Sequence, residues 1–358
     1  MTALDRQQRA LALLAQHDLD ALVLCARENL RYLSGFTGSD AVLLLTAGSS
    51  LFLTDSRYTT QAREQVAAER VEEYRVQAEG VAAALRDAGV RRIGFESSLA
   101  YGKVNDLRNR GEAAWEWLPL REELEALRLV KSAPEIAAIE AAAQLNAVAF
   151  AEVEALLRPG SVERDVALAL EFALKRRGAE EKAFDFIVAS GERGALPHGV
   201  ASGRRLAAGE LVTIDFGCRV DGYHADETVT IAIGTVADEL RRVFDIVLAA
   251  HDLALAAVAP GVPVSELDRV AREHIAAAGY GAYFGHGLGH GVGLDVHEAP
   301  AVSSRSKAVV QEGMVFTVEP GIYLPGVGGV RIEDMVLATA AGFRVLTRIP
   351  KQFRNLLA

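Results

Sequence analysis

Two cysteines in 358 residues, Cys25 and Cys218, are too few for a disulfide framework. They lie far apart in apolar strand contexts, so buried free thiols are expected rather than a bridge or a thiolate-held metal. Long apolar runs are missing as well. Stretches such as Ala41–Thr46 fall far short of the roughly 20 residues a membrane span needs. The start, Met1-Thr-Ala-Leu-Asp-Arg, lacks the basic-then-apolar order of a signal peptide, so a cytoplasmic chain with no membrane partner is expected. Excess positive charge is absent too: a formal net charge of −10 offers no footprint for nucleic acid. No low-complexity segment occurs, and neither G-x-G-x-x-G nor G-x-x-x-x-G-K-[ST] is present to cradle a phosphate.

What is present is ample core material, since half the residues are hydrophobic, and a length that suits two domains. Residues 5–17 read as a helix and 21–25 as a buried strand. Further strands are expected at 41–46, 51–54 and 91–95, with a long helical stretch from about 58. That is a small α/β domain over residues 1–128. Ser132-Ala-Pro134-Glu135 looks like a capped helix start, and a second domain over 129–358 follows. Within it, amphipathic helices at 136–157, 162–177, 237–257 and 264–278 alternate with β-hairpins, an α+β layout.

The hairpins carry the acids. Leu211-Val-Thr-Ile-Asp215 and Tyr223-His-Ala-Asp226 flank an Asp221-Gly222 turn signal, and a two-residue loop there makes Asp215 and Asp226 diagonal neighbours, roughly 7–8 Å apart at the backbone. Val315-Phe-Thr-Val-Glu319 and Val330-Arg331-Ile-Glu333 flank Pro325-Gly326 in the same way, and alternation sets Arg331 beside Glu333. The two stretches are copies: Gly209 and Gly313 each precede an acid by six residues. Upstream, Pro159-Gly160 and Pro260-Gly261 each open a helical run ending near Gly178 and Gly279. An internal duplication is therefore expected, each copy giving one acidic hairpin to a shared centre. A lone acid in a strand is most often a solvated face residue. The apolar flanks of Asp215 and Glu319 weigh against that reading: buried carboxylates need partners, one arginine cannot balance four acids, and two divalent metals can.

Between the hairpins, Phe284-Gly-His286-Gly-Leu-Gly-His290-Gly-Val-Gly293 has glycine at alternate positions, and His297 follows. Such a run resists helix, so His286 and His290 are not two ligands on one helical face; glycine there lets backbones approach closely. A single histidine is usually structural, yet three within twelve residues favour an active site. His198, in Leu196-Pro197-His198-Gly199, is on composition alone a loop histidine.

Taken together, these motifs resemble the metal-dependent proline peptidases of pita-bread fold, aminopeptidase P and prolidase, over nearly the whole chain. Asp215-Phe-Gly, Tyr223-His-Ala-Asp226, Gly289-His290-Gly, Val318-Glu319-Pro-Gly and Arg331-Ile-Glu333-Asp match the family's ligand motifs; Leu30-Arg-Tyr-Leu-Ser-Gly-Phe36 resembles its N-terminal domain. The resemblance implies a creatinase-like α/β domain ahead of a duplicated α+β catalytic domain. It implies two divalent ions, Mn before Co or Zn, with Asp215 and Asp226 on one, His290 and Glu319 on the other, and Asp226 and Glu333 shared. A hydroxide bridging the ions would attack the carbonyl before proline, with Glu319 shuttling the proton. His198 and His297 would steady the intermediate, Arg331 the carboxylates; His198, His286, His297 and Tyr323 would contact substrate. Peptides with proline second are the implied partners, and a homodimer the implied assembly. Ala301 stands where some prolidases place an arginine that holds a proline carboxylate, although Arg305 is close by. That leans the expectation toward an Xaa-Pro aminopeptidase, with Xaa-Pro dipeptidase as the alternative and a non-catalytic interaction module as the remote one.

Overall fold

The computed structural model describes residues 1–357. They form two compact units, Met1–Arg128 and the residues from Leu129 onward. In the first unit the elements run α1 (Ala3–Gln16), β1 (Ala21–Leu24), α2 (Arg27–Ser34), β2 (Ala41–Thr46), β3 (Ser49–Thr54), α3 (Thr59–Gln65), β4 (Arg70–Glu73), α4 (Gln77–Asp87), β5 (Arg92–Glu96), α5 (Tyr101–Arg110), β6 (Glu116–Leu120) and α6 (Glu122–Ala126). The strands make one mixed sheet in the order β4-β3-β2-β1-β5-β6. Central β1 is buried at every residue, which is why it reads as a continuous apolar run rather than an alternating one. The long helix expected from residue 58 is in fact broken: α3 stops at Gln65 and β4 pairs in parallel with β3 before α4 begins. Arg70-Val-Glu-Glu73 is a mostly exposed edge strand, so backbone pairing rather than an apolar pattern defines it.

The second unit comprises α7 (Ala133–Val153), α8 (Glu163–Arg176), β7 (Glu181–Lys182), β8 (Ile187–Ser190), β9 (Glu210–Phe216), β10 (Cys218–Val220), β11 (Tyr223–His224), β12 (Glu227–Ile233), α9 (Asp238–Ala256), α10 (Val264–Ala277), β13 (Gly289–Gly291), β14 (Glu298–Val302), β15 (Val315–Val318), β16 (Gly321–Leu324), β17 (Gly328–Arg331), β18 (Asp334–Thr339) and β19 (Gly342–Val345). Helix α7 opens on the expected cap, with the Ser132 amide donating to Glu135 Oε2 at 2.9 Å and Pro134 in the first turn. With the turn after it, α7 has the length and apolarity of a membrane span. Its buried side chains, among them Ile139, Ala142 and Phe150, nevertheless face this unit's own core, against α8 and β10. Both cysteines are buried and free.

Backbone geometry repeats along this unit. Gly160 and Gly261 have φ of 90° and 89°, Gly209 and Gly313 88° and 87°, Gly222 and Gly326 75° each. Hydrogen bonds repeat with them: Gly160 N–H to Leu206 O at 2.8 Å is matched by Gly261 to Val310 at 2.9 Å, and Glu163 N–H to Arg204 O at 3.0 Å by Val264 to Ala308 at 2.9 Å. Left-handed φ at both members of each pair explains the glycines. The sequence copies are thus structural copies.

In the first copy β9 pairs antiparallel with β12, setting Asp215 opposite Thr228. The same register continues through β10 and β11 to the two-residue loop Asp221-Gly222, where both φ are positive, 47° and 75°. In the second copy β15 pairs with β18 and β16 with β17, closed by a loop from Pro325 to Val327. There Val318 faces Asp334 and Gly321 faces Arg331, so Glu319 and Glu333 sit where the ladder is interrupted. Beneath the hairpins lies an apolar core from α9 (Val243, Phe244, Val247), α10 (Leu267, Ile275) and the inner faces of β15, β17 and β18. Each such side chain contributes about 1.5–3 kcal/mol on burial, enough to hold the hairpins in place around the acids.

Candidate metal centre and active-site cavity

Strand alternation decides which side chains meet. Asp215 on β9 and Asp226 ahead of β12 project to one side, and the interrupted second hairpin aims Glu319 and Glu333 at them. His290 comes from β13, whose glycines behave as expected: a Cβ at Gly289 would collide with Thr317 O, and one at Gly291 with Ala299 O. All five acids and imidazoles anticipated as ligands line one cavity of about 370 Å³, together with His198, His286, His297, Tyr323 and Arg331. Ligand atoms of Asp226, His290 and Glu333 lie within 4.8 Å of one another. His290 Nε2 is 3.6 Å from Asp226 Oδ2 and 3.3 Å from Glu319 Oε1.

Surrounding groups orient these side chains. His290 Nδ1 lies 3.1 Å from the Gly291 carbonyl, which selects the Nδ1–H tautomer and leaves the Nε2 lone pair facing the carboxylates. The Thr317 hydroxyl accepts from the His290 amide at 3.0 Å and donates to Glu319 Oε1 at 3.2 Å. The Thr228 hydroxyl donates to Glu333 Oε2 at 2.7 Å. Arg331 donates to Asp215 Oδ2 at 2.6 Å, to Tyr323 Oη at 2.9 Å, to the Pro197 carbonyl at 3.1 Å and to the Thr228 hydroxyl at 3.2 Å. Tyr323 Oη in turn lies 2.9 Å from His286 Nε2. One guanidinium therefore links a ligand, the cavity wall and the loop carrying His198. The rings of His297 and His290 have centroids 4.2 Å apart.

Charge in the site is unbalanced. Four buried or largely buried carboxylates face a single guanidinium. Burial first, and then the neighbouring carboxylates, push Asp226 and Glu333 well above the usual carboxylate range. Burial likewise raises Glu319. Desolvation lowers His286, His290 and His297, keeping their rings neutral and able to ligate or accept. Asp215 Oδ1 is buried with no hydrogen-bond partner among the described residues. An orphaned carboxylate oxygen, a cluster of three ligand atoms and an oxygen-rich set with one imidazole fit hard or borderline divalent cations.

Several wall residues were not visible as functional in the sequence. Phe184, Asp185, Ile187 and Val200 line the cavity, and Thr228 and Thr317 brace ligands. The threonines did leave a signal, since Thr228 and Thr230 alternate on the face of Asp226 while Val229, Ile231 and Ile233 occupy the other.

Residues 137–340 match the model of metallopeptidase family M24, and residues 6–130 that of the creatinase/prolidase N-terminal domain. An Xaa-Pro dipeptidase of Pyrococcus horikoshii is 38% identical over 352 residues, 97% of this chain and 98% of that protein. Among solved structures, an Xaa-Pro dipeptidase from Bacillus anthracis superposes with a TM-score of 0.96 at 38% identity, covering 99% of this chain and 100% of that one. An X-Pro aminopeptidase from Thermotoga maritima gives 0.88 at 37% identity, covering 98% and 100%.

Proposed function

Because the chain belongs to metallopeptidase family M24 and carries a creatinase/prolidase N-terminal domain, we propose that this metallopeptidase is an Xaa-Pro dipeptidase. The observation that carries this reading is its near-full-length similarity to proteins named Xaa-Pro dipeptidase. The sequence alone leaned toward an aminopeptidase; the relatives favour the alternative. A cavity of about 370 Å³ also sits at the small end of the roughly 300–1,000 Å³ range of ligand pockets, in keeping with a short substrate.

Asp215, Asp226, His290, Glu319 and Glu333 would hold two divalent ions, manganese first among them, with Asp226 and Glu333 shared. When bound, such ions polarise the scissile carbonyl and make water a nucleophile near neutral pH. The chain's own residues supply the rest. Glu319, in contact with the Thr317 hydroxyl, takes the proton of the attacking water and returns it to the proline nitrogen as the C–N bond breaks. His198 and His297 face the same space and donate to the carbonyl oxygen as it gains charge. Arg331 holds Asp215, Tyr323 and the Pro197 loop, so ligand and wall keep one spacing. Proline selectivity follows from the tertiary amide: an Xaa-Pro bond has no N–H, so a site that asks for none accepts it. Phe184, Ile187 and Tyr323 offer apolar surface to the pyrrolidine ring or its neighbour.

One observation favours the aminopeptidase reading. The only arginine or lysine lining the cavity, among the described residues, is Arg331, which is already engaged, and Ala301 offers no charge for a free proline carboxylate. Comparing hydrolysis of Ala-Pro and Ala-Pro-Ala by the manganese-loaded protein, with Glu333→Ala as blank, separates the two. Preference for the dipeptide is the expected result. Cleavage of the tripeptide after alanine with little action on the dipeptide would reverse the assignment, and cleavage of neither would turn attention to a non-catalytic role.

A further inference from the structure

Asp226 and Glu333 lead into strands of two different sheets, β12 in the sheet β12-β9-β8 and β18 in the sheet β14-β13-β15-β18-β19. No ladder therefore sets their separation. The backbone joins them at one point on the site side, where the Glu333 amide donates to Thr228 O at 3.2 Å.

Behind the site the picture differs. Alternation turns Glu227 and Asp334, the residues directly after these two ligands, away from the cavity and into the interior, at 0% and 6% exposure. There the Lys351 ammonium lies 2.6 Å from Glu227 Oε1 and 3.5 Å from Asp334 Oδ1. The Ile349 amide also donates to Glu227 Oε1, at 3.0 Å, and the Thr347 hydroxyl to Asp334 Oδ1. His251 Nε2 reaches Asp334 Oδ2 at 3.1 Å. Thr347, Ile349 and Lys351 all belong to the segment after β19, beyond the stretch matched by the peptidase family model.

Burying a lysine between two carboxylates is a poor way to gain stability, because well-packed apolar side chains of the same volume do as well or better. What a buried ammonium does supply is three donors at a fixed point, able to hold two separate acceptors at a set distance. We propose that Lys351 is a positioning residue of the metal centre, tying Glu227 to Asp334 and thereby fixing from behind the spacing between Asp226 and Glu333. The proposal rests on the reading of those two carboxylates as shared between two ions.

The test uses the full-length protein stripped of metal and titrated with Mn²⁺. Binding is followed by calorimetry, and the electron paramagnetic resonance spectrum reports whether two bound ions are exchange-coupled. Lys351→Met leaves Glu227 buried and uncompensated and can fail to fold. Glu227→Gln with Lys351→Met removes both charges at nearly constant volume and keeps the acceptor for Ile349. Supporting the proposal, the folded double variant would bind the second ion 10- to 100-fold more weakly, the range seen when outer partners of metal ligands are lost, and the coupled signal would give way to that of isolated ions. Binding of both ions within twofold of wild type, with the coupled signal intact, would overturn it even if the melting temperature fell, since Lys351 would then serve stability alone. A wild-type protein that binds fewer than two ions would instead remove the two-ion reading beneath it, and is told apart by the wild-type titration.

Discussion

The strand that flanks each acidic hairpin carries opposite chemistry in the two copies. In the first, β8 sets Ile187 opposite Asp215 and presents an aliphatic wall to the cavity. In the second, β13 sets Gly289-His290-Gly291 against β15 and delivers an imidazole to the acids. The hairpins differ as well. Asp215 faces Thr228, so the short acids Asp215 and Asp226 are diagonal neighbours, whereas the register brings the longer Glu319 and Glu333 directly opposite each other. Duplication thus supplies a symmetric frame that the side chains make unequal: one copy gives the cavity an aliphatic wall and the other sets an imidazole nitrogen among the acids. Arg331 of the second copy, bonded to Asp215 of the first, couples them.

Removing one acid from each copy tests whether both halves are needed. Asp226→Ala and Glu333→Ala are each expected to lower kcat/KM for Ala-Pro by about 10³-fold or more, with a fall in bound manganese measured by elemental analysis. Retained metal in either variant would assign the centre to one half. Arg331→Lys addresses the coupling between halves. A lysine keeps the charge but cannot reach Asp215, Tyr323 and Pro197 at once, so a loss of about 10²-fold, mostly in kcat, is expected. Equal activity would show that charge alone suffices.

Metal removal exposes the acids of both copies to titration. In the metal-free protein Asp226 and Glu333 are raised by burial and by neighbouring carboxylates. Between the ordinary carboxylate range and those raised values the folded chain binds more protons than the unfolded one, so stability is lost as pH rises through that window. The melting temperature of the metal-free protein should therefore fall from acid to neutral pH, and the gain on adding Mn²⁺ should be larger at pH 8 than at pH 5.5. A flat gain would contradict crowded carboxylates as the reason for the metal.

Smaller effects probe each copy on its own. Ile187→Ala should raise KM about tenfold with kcat little changed, as expected for about 1–3 kcal/mol of apolar substrate contact, and a change in kcat alone would move Ile187 out of the wall. Gly160→Ala and Gly261→Ala meet no atom within 4 Å, so each should cost only the left-handed backbone, about 1–2 kcal/mol, and equally. Unequal losses by denaturant melts would show that the copies have diverged in rigidity as well as in chemistry.

Most of the frame was legible in advance because glycine, proline and alternation are local signals. The four long helices of the catalytic unit, the Asp221-Gly222 turn and the paired glycines stand where the pattern set them. The edge strand β4 was missed because its identity comes from pairing with β3, and an exposed Arg-Val-Glu-Glu carries no apolar period. Arg331 was expected next to Glu333 on strand adjacency; that its guanidinium also reaches Asp215 of the other copy was not legible, because the contact depends on how two sheets pack.

Sequence by itself determined that four acids and a histidine would be carried on two copies of one hairpin unit, because turn chemistry and side-chain period are written residue by residue. Only the tertiary structure decided how far apart the acids stand and which residues hold them. Asp226 and Glu333 lead into different sheets; Thr228 and Arg331, each two residues from one of them, bond to an acid of the other copy more than one hundred residues away, and Lys351 comes from the C-terminal segment behind both. Distances across a packed interior depend on every element that fills it, and no local pattern encodes them.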